Sequence, residues 1–201
     1  MTPEWAVLVE VLRELGAQPH AVRVGHTVFP TICYVVTEMR VATGFHFVKG
    51  SYGPFSSEVK PALQELMSRG WIQEEKLGRL LALRAGAQYE HDHASMSETI
   101  EPHAKKIAKV TDLFSRIKTT EQAGEVLSVL FASRQFKQAH PKTPVTEQQL
   151  YDLVLEWKTA WTSDEKRRAL ASAIRHLVLL EWVQLSPSES LGRVLGVTAS
   201  R

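Results

Sequence analysis

The stretch FHFVKGSYGPFSSEV, residues 45–59, constrains the fold of this chain more than any other part of it. Phe45, Phe47 and Val48 at its start predict a strand, which Gly50 ends. Gly53-Pro54 then predicts a turn. The two serines that follow can accept hydrogen bonds from the first free N–H groups of a helix, and that helix carries apolar residues on one side.

A β-hairpin is predicted directly after this helix, which ends at Gly70. The first arm of the hairpin is Trp71-Ile72, the second is LLALR at residues 80–84, and the turn between them is KLGR at residues 76–79. Strand, turn, helix and hairpin in close succession are typical of a winged-helix-like unit, with the basic turn as its wing. Modules of this kind bind macromolecules, so the sequence favours a binding protein over an enzyme.

The pattern divides the chain into two units. Helices predicted at residues 3–15 and 27–39 complete a winged-helix-like unit of residues 1–85. Residues 86–98 are polar and without period, which predicts a linker. Residues 99–201 are predicted to be a helical unit. The expected fold class is therefore mainly α with short β-hairpins, an α+β protein.

The last long helix repeats the pattern of the helix before Trp71. When Trp71 is aligned with Trp182, apolar residues of the two helices coincide, and each helix leads into an apolar pair, Trp71-Ile72 and Trp182-Val183. Two amphipathic helices can also align this well without being repeats. On the repeat interpretation, the chain consists of two tandem winged-helix-like units, the second ending in a helix and a strand.

Composition excludes several classes of protein. The chain has 201 residues, of which 44% are hydrophobic and 23% charged, values typical of a globular protein. No apolar run approaches the ~20 residues that cross a bilayer, and the first residues do not resemble a signal peptide, so we expect a cytoplasmic protein without a membrane partner. A net charge of +2 gives no overall argument for nucleic-acid binding.

No residue pattern predicts a catalytic, cofactor or metal site. His91, Asp92, His93 and His103 come nearest to a metal cluster, but further ligands at zinc-site spacing are absent and a polar linker explains them better. Cys33 lies among apolar residues, which predicts a buried, inert thiol. Glycine-rich phosphate loops and a Gly-x-Ser-x-Gly elbow are absent from the sequence. We therefore expect no enzyme activity and no cofactor.

Features typical of binding surround the Gly-Pro turn and the wing. A lysine and two aromatic side chains on a tight turn can stack on bases or anchor a protein partner. The alternative is that the aromatic residues only pack the turn against the core and that the Gly-Pro pair meets the backbone requirements of the turn. The candidate partner-binding residues are Lys49, Tyr52, Gly53, Pro54, Phe55, Lys76 and Arg79.

Residues 1–85 also resemble a family of antitoxins. The segment FHFVKGSYGPFSSEVKPAL resembles the FVKG-x-YGP(Y/F) segment of the C-terminal, non-macrodomain region of the DarG antitoxins and, more loosely, stand-alone bacterial proteins of the YwgA type. The resemblance implies a non-enzymatic, antitoxin-like domain that neutralises a DNA ADP-ribosyltransferase-type toxin by binding it directly. The macrodomain that gives the DarG antitoxins their hydrolase activity has no counterpart in this sequence. The matched residues are Phe47, Val48, Lys49, Gly50, Tyr52, Gly53 and Pro54.

The alternative function is a winged-helix transcriptional regulator, whose partner would be DNA. The helix after the Gly-Pro turn would enter the major groove, and the wing at residues 76–79 would contact phosphates. The exposed side of that helix carries acidic and basic residues in similar number, so it would repel phosphates nearly as much as attract them. This mixture favours a protein partner; the residues are Glu58, Lys60, Gln64, Glu65, Ser68 and Arg69.

Overall fold

The computed structural model describes residues 2–18, 23–50, 53–78 and 80–195. Within these ranges the chain is mostly helical, and four short strands form two antiparallel two-stranded sheets. The predicted fold class, mainly α with short β-hairpins, is confirmed at this level. None of the described helices is both long enough and apolar enough to cross a membrane.

The chain divides into two compact units, one of residues 1–50 and 54–123 and one of residues 51–53 and 124–201. The elements before the division are α1 (Trp5–Gly16), α2 (Phe29–Glu38), β1 (Val48–Lys49), β2 (Pro54–Phe55), α3 (Val59–Ser68), β3 (Ile72–Leu77), β4 (Leu80–Ala85), α4 (Ala87–Asp92), α5 (Ser97–Ile100) and α6 (Ala104–Arg116), with 3₁₀ turns at His93–Met96 and Glu101–His103. The remaining elements are α7 (Thr120–Ala139), in which the division falls, α8 (Glu147–Trp157), α9 (Asp164–Leu179) and α10 (Glu189–Val194).

Helix α1 forms the centre of the first unit. Its sequence WAVLVEVLRELG is apolar on nearly every side, as expected for a helix buried among other elements. It packs against α2, α5, α6 and β4. Helix α3 packs against β3, so the hairpin and its preceding helix share the core of this unit.

The segment at residues 86–98 differs from the predicted linker, because it is helical and belongs to the first unit. Tyr89 in α4 is completely buried. Its hydroxyl donates hydrogen bonds to the Ala6 carbonyl oxygen at 3.1 Å and to Glu10 Oε2 at 2.8 Å. A polar segment is thus fixed to α1 by hydrogen bonds, which hydrophobic periodicity cannot detect.

Glu10 is the acceptor at the centre of this contact. Its carboxylate is buried in α1 and also receives hydrogen bonds from the Arg13 guanidinium at 2.6 and 3.0 Å, while His93 Nε2 lies 3.1 Å away. Burial raises the pKa of Glu10, but the hydrogen bonds from Arg13 and Tyr89 and the nearby positive charge lower it by more, so the net pKa lies below the ordinary value of 4.5. The buried carboxylate is therefore held in its charged form.

Three helices end in the same hydrogen-bonded turn, the Schellman motif. After α3, the Gly70 N–H bonds to the Met67 carbonyl at 3.0 Å and the Trp71 N–H to the Leu66 carbonyl at 2.9 Å. Gly70 has φ +69°, the left-handed conformation that the motif requires. The predicted helix stop at Gly70 is therefore confirmed.

Helices α9 and α2 end in the same way without glycine. After α9, the Glu181 N–H bonds to the carbonyl of Val178, three residues earlier, at 3.0 Å, and the Trp182 N–H bonds to the carbonyl of Leu177, five residues earlier, at 2.8 Å. Arg40 has the corresponding place after α2, and φ is +57° at Glu181 and +60° at Arg40. The aligned tryptophans thus follow equivalent helix ends, and both are half-buried.

The chain beyond Trp182 differs from the predicted second strand. Val183 is buried, but residues 183–186 form only one bridge, in which Ser186 pairs in parallel with Thr146. The chain then enters α10. Within the range described up to residue 195, no second hairpin follows α9, because these residues pair with the start of α8 instead.

Replacing Tyr89 with phenylalanine tests the contact with Glu10. The change keeps the ring, which meets Trp71 edge to face at 5.8 Å, but removes a donor from a buried carboxylate, so we expect it to lower the free energy of unfolding by about 1–3 kcal/mol at pH 7. Because the folded pKa of Glu10 is depressed, its stabilisation is present above the unfolded pKa and is lost as pH falls through the folded pKa. The difference between variant and wild type should therefore shrink in urea titrations at about pH 3. An equal difference at both pH values would show that the hydroxyl acts only through Ala6.

Replacing Arg40 with glycine should stabilise the protein. A left-handed backbone costs an L-residue about 1–2 kcal/mol and costs glycine little, so we expect a gain of up to about 1 kcal/mol after the greater chain entropy of glycine is subtracted. Arg40→Ala is the matched control, since it removes the same side chain and keeps the strained conformation. Equal thermal midpoints for the two variants would contradict the prediction.

Candidate functional site

The FVKG segment forms a small hairpin supported by aromatic rings. β1 pairs with β2 in the register Val48 to Phe55 and Lys49 to Pro54. Phe45 and Phe47 lie before β1 and are not part of the strand, in contrast to the prediction. Phe45 is buried, and the Phe47 ring meets the Phe45 ring edge to face at 6.5 Å.

This aromatic support continues into the core of the first unit. Phe47 also meets Tyr34 of α2 edge to face at 5.2 Å, and Phe45 stacks on Trp5 of α1 at 5.8 Å. The rings therefore form a chain from α2 through the segment before β1 to α1. Contacts of this geometry add about 0.5–1.5 kcal/mol each beyond the burial of their area. The hairpin is thus positioned by the two helices that precede it.

The hairpin itself presents an apolar pair to solvent. Val48 and Phe55 lie directly opposite each other across the two strands, and each is 60% exposed. An apolar pair this exposed adds little to the stability of the hairpin and is available to a partner. Phe55 is one of the predicted binding residues, but Val48 was missed as one, because it was interpreted only as an apolar member of the predicted strand.

The second hairpin also has an apolar end. β3 pairs with β4 from Ile72–Ala85 to Leu77–Leu80, and Gly78, which follows β3, has φ +63°. Leu80 is 63% exposed and Leu81 is 50% exposed. The sequence prediction placed these leucines in a hairpin arm but did not identify them as a binding feature. The signal in the sequence is a run of four consecutive apolar residues, LLAL at 80–83, which places apolar side chains on both sides of the strand.

Charges on the second hairpin are mixed and largely paired. Glu74 lies 2.5 Å from His26 Nε2, and Glu75 accepts a hydrogen bond from Arg84 at 2.9 Å. Lys76 is exposed opposite Leu81. Among the described residues, this hairpin thus offers exposed leucines and paired acidic side chains, with Lys76 as an exposed cation.

The structure separates five of the seven candidate residues by exposure. Tyr52 and Arg79 lie outside the described residues. On the hairpins, exposure distinguishes side chains that can meet a partner from those that hold the turn. Lys49, Phe55 and Lys76 are exposed, Gly53 is half-buried and Pro54 is buried.

Two details of the turn bear on its predicted role. Gly53 has φ +149°, a conformation open almost only to glycine, as predicted. The serines after the turn do not cap α3: the N-cap residue is Glu58, and Ser56 Oγ donates to Glu58 Oε2 at 2.5 Å instead. Ser56 therefore bonds to a side chain and not to a free backbone N–H group of the helix. Glu58, the N-cap residue, itself has helical backbone angles.

The residues considered as metal ligands do not form a metal cluster in the described part of the chain. In residues 2–18, 23–50, 53–78 and 80–195, no three His, Cys, Asp or Glu side chains could together hold a metal ion. His93, one of the histidines considered as metal ligands, contacts the carboxylate of Glu10. Cys33 is fully buried, and burial raises the pKa of its thiol, which disfavours the reactive thiolate.

No family model matches the sequence, and no curated protein matches it. The function must therefore be inferred from the residues and their arrangement.

Replacing Gly53 with valine tests the strain in the turn. A β-branched residue at φ +149° should lower the free energy of unfolding by about 1–3 kcal/mol. A Cβ at this position would lie 3.6 Å from Leu127 Cδ2, an ordinary contact, so the cost comes from the backbone rather than from a collision of that atom. Gly16→Val is the control, because Gly16 does not have a positive φ. Thermal unfolding gives the midpoints of both variants. An unchanged midpoint for Gly53→Val would show that the turn is not strained.

Proposed function

We propose that this protein is a non-enzymatic, antitoxin-like interaction domain that neutralises a DNA ADP-ribosyltransferase-type toxin by binding it directly. The observation that carries the protein-binding part is the position of the large exposed apolar residues. Among the described residues there are five, and four of them lie on the two hairpins: Val48, Phe55, Leu80 and Leu81. Exposed apolar side chains supported by a rigid base are typical of the centres of protein interfaces.

The nature of the toxin rests on the resemblance of residues 1–85 to the DarG antitoxins. The matched FVKG-x-YGP segment forms the hairpin that carries Val48 and Phe55. On this proposal the segment is an anchor for the toxin, and the aromatic chain behind it keeps the anchor in place before binding. A preformed anchor loses less conformational entropy on association. The protein would act in the cytoplasm, where such a toxin meets DNA.

The finer fold is part of the same proposal. Residues 1–85 would form a winged-helix-like unit, with α3 as its third helix and β3–β4 as its wing, and the order of the elements supports this. Support for a second winged-helix-like unit is limited to the matching ends of α3 and α9, since residues 183–186 form a single bridge.

The alternative, a DNA-binding regulator, has less support. A wing that contacts phosphates needs cationic side chains directed at the backbone of DNA. Here Lys76 lies on β3 with Glu74 and Glu75. The exposed Leu80 and Leu81 lie on the paired strand β4. Apolar surface at this place is better suited to another protein.

The proposal is tested by co-expressing the chain with the product of the neighbouring gene and measuring complex formation by gel filtration and calorimetry. Phe55→Ser and Leu80→Ser should each weaken the complex by about tenfold or more, equivalent to at least ~1.4 kcal/mol, without changing the thermal midpoint. Leu179→Ser is the matched control, because Leu179 is 76% exposed but lies at the end of α9. Separate elution of the two wild-type proteins at micromolar concentration would refute the proposal.

Salt distinguishes the two functions. A DNA-binding protein loses about 0.9 log units of affinity per phosphate contact for each log unit of salt. We expect instead no duplex binding tighter than micromolar near physiological salt, and a protein complex whose dissociation rate changes little with salt. Tight, salt-sensitive duplex binding that is lost in Lys76→Ala would favour the regulator.

A further inference from the structure

The first unit contains a cleft that the hairpins do not form. Its volume is about 440 Å³, and it lies between the beginning of α1, the segment at residues 43–45 and one side of α3. The residues that determine its chemistry are Trp5, Phe45, Glu58, Pro61, Ala62 and Glu65.

One wall of the cleft is formed by two aromatic rings. Trp5 and Phe45 stack with their ring centres 5.8 Å apart and their planes at 30°. The indole N–H of Trp5 already donates to the Thr43 carbonyl oxygen at 2.8 Å. This wall therefore presents carbon and π-electron surface to an occupant, which suits an apolar or a cationic group.

The other wall is the side of α3 that carries two carboxylates. Glu58 and Glu65 are seven residues apart, so they lie two turns apart on the same side of the helix. Pro61 and Ala62 lie between them and provide a short apolar floor. The hydrogen bond from Ser56 is the main cause of a pKa of Glu58 below its ordinary value, so this carboxylate is charged at neutral pH.

Charge and shape together indicate the kind of occupant. A planar guanidinium can stack on an aromatic ring while it donates two parallel hydrogen bonds to a carboxylate. We propose that this cleft binds an arginine side chain of a partner polypeptide, with the guanidinium against Trp5 and paired with Glu58 or Glu65. The site is separate from the hairpin surface, and its existence does not depend on the identity of the toxin.

Three features of the protein compete with the occupant: Arg69, the dipole of α3, and His46, whose Nδ1 lies 3.8 Å from Glu58 Oε1. Arg69 donates to Glu65 Oε1 at 3.1 Å from both Nε and Nη2. Glu58 lies at the beginning of α3, where the positive end of the helix dipole offsets part of its charge. A single arginine should therefore bind weakly, and removal of Arg69 should strengthen its binding.

The probe is N-acetyl-argininamide, titrated into the ¹⁵N-labelled full chain and observed in ¹H–¹⁵N spectra. The Trp5→Phe variant identifies the Trp5 indole resonance among the five tryptophans. We expect saturable shifts of this resonance and of the Ala62 and Glu65 amides with a Kd on the order of 1–10 mM. N-acetyl-leucinamide is the control for a merely apolar cleft.

Charge variants test the assignment of the two walls. Glu58→Gln and Glu65→Gln should each weaken probe binding about two- to fivefold, as for removal of an exposed ion pair, and Arg69→Gln should strengthen it by a similar factor. Glu101→Gln removes the same charge from an exposed residue that does not line the cleft and should change nothing. Thermal midpoints of all variants are measured in parallel.

Three results would overturn the proposal: no saturable shift up to about 50 mM probe, well above a millimolar Kd; equal shifts with the leucine compound; or unchanged affinity in Glu58→Gln and Glu65→Gln. Each of these leaves the hairpin surface unaffected. Loss of the toxin complex in Phe55→Ser with normal arginine binding would, in turn, show that the two surfaces act separately.

Discussion

The buried carboxylate of Glu10 is the interaction on which the arrangement of the first unit depends. It lies inside the central helix, where an isolated charge would be very unfavourable, and it is tolerated because Arg13 and Tyr89 donate hydrogen bonds to it. Through Tyr89 it fixes α4 against α1, and β4 packs on the same helix just before α4 begins. The polar contact thus determines where the chain goes after the second hairpin, whereas the surrounding apolar contacts supply most of the stability.

The elements predicted from the sequence are those that local chemistry determines. The apolar periods of α1, α2 and α3 and the glycines at Gly53 and Gly70 depend on neighbouring residues, and the structure agrees with them to within a few positions. The segment at residues 86–98 could not be predicted in this way. Tyr89 reaches Glu10 across 79 positions of sequence, and nothing in its own neighbourhood indicates that contact.

The candidate site shows the same division. Phe55 and Lys49 could be proposed because they flank an unusual turn, but the exposure of Val48, Leu80 and Leu81 could not. A run of consecutive apolar residues places apolar side chains on both sides of a strand and does not say which of them are covered. In β3–β4 the cover ends before the turn, so residues with a core-like pattern lie in solvent. Leucine is therefore a core residue at Leu83 and an exposed residue at Leu80, near the two ends of the same strand.

The outer side of β4 has a consequence for the free protein. A strand at the edge of a sheet offers unpaired backbone groups to any other strand. Here the Leu83 N–H donates to the Val24 carbonyl at 2.7 Å, and Gly25 lies so close that a Cβ on it would be 3.2 Å from the Leu81 carbonyl oxygen. This neighbouring segment shields the strand as far as Leu81, and Leu80 lies beyond it. Because this segment covers the strand at Leu81 and Leu83, the described part of the outer edge of β4 offers little unpaired backbone to a strand of a second copy.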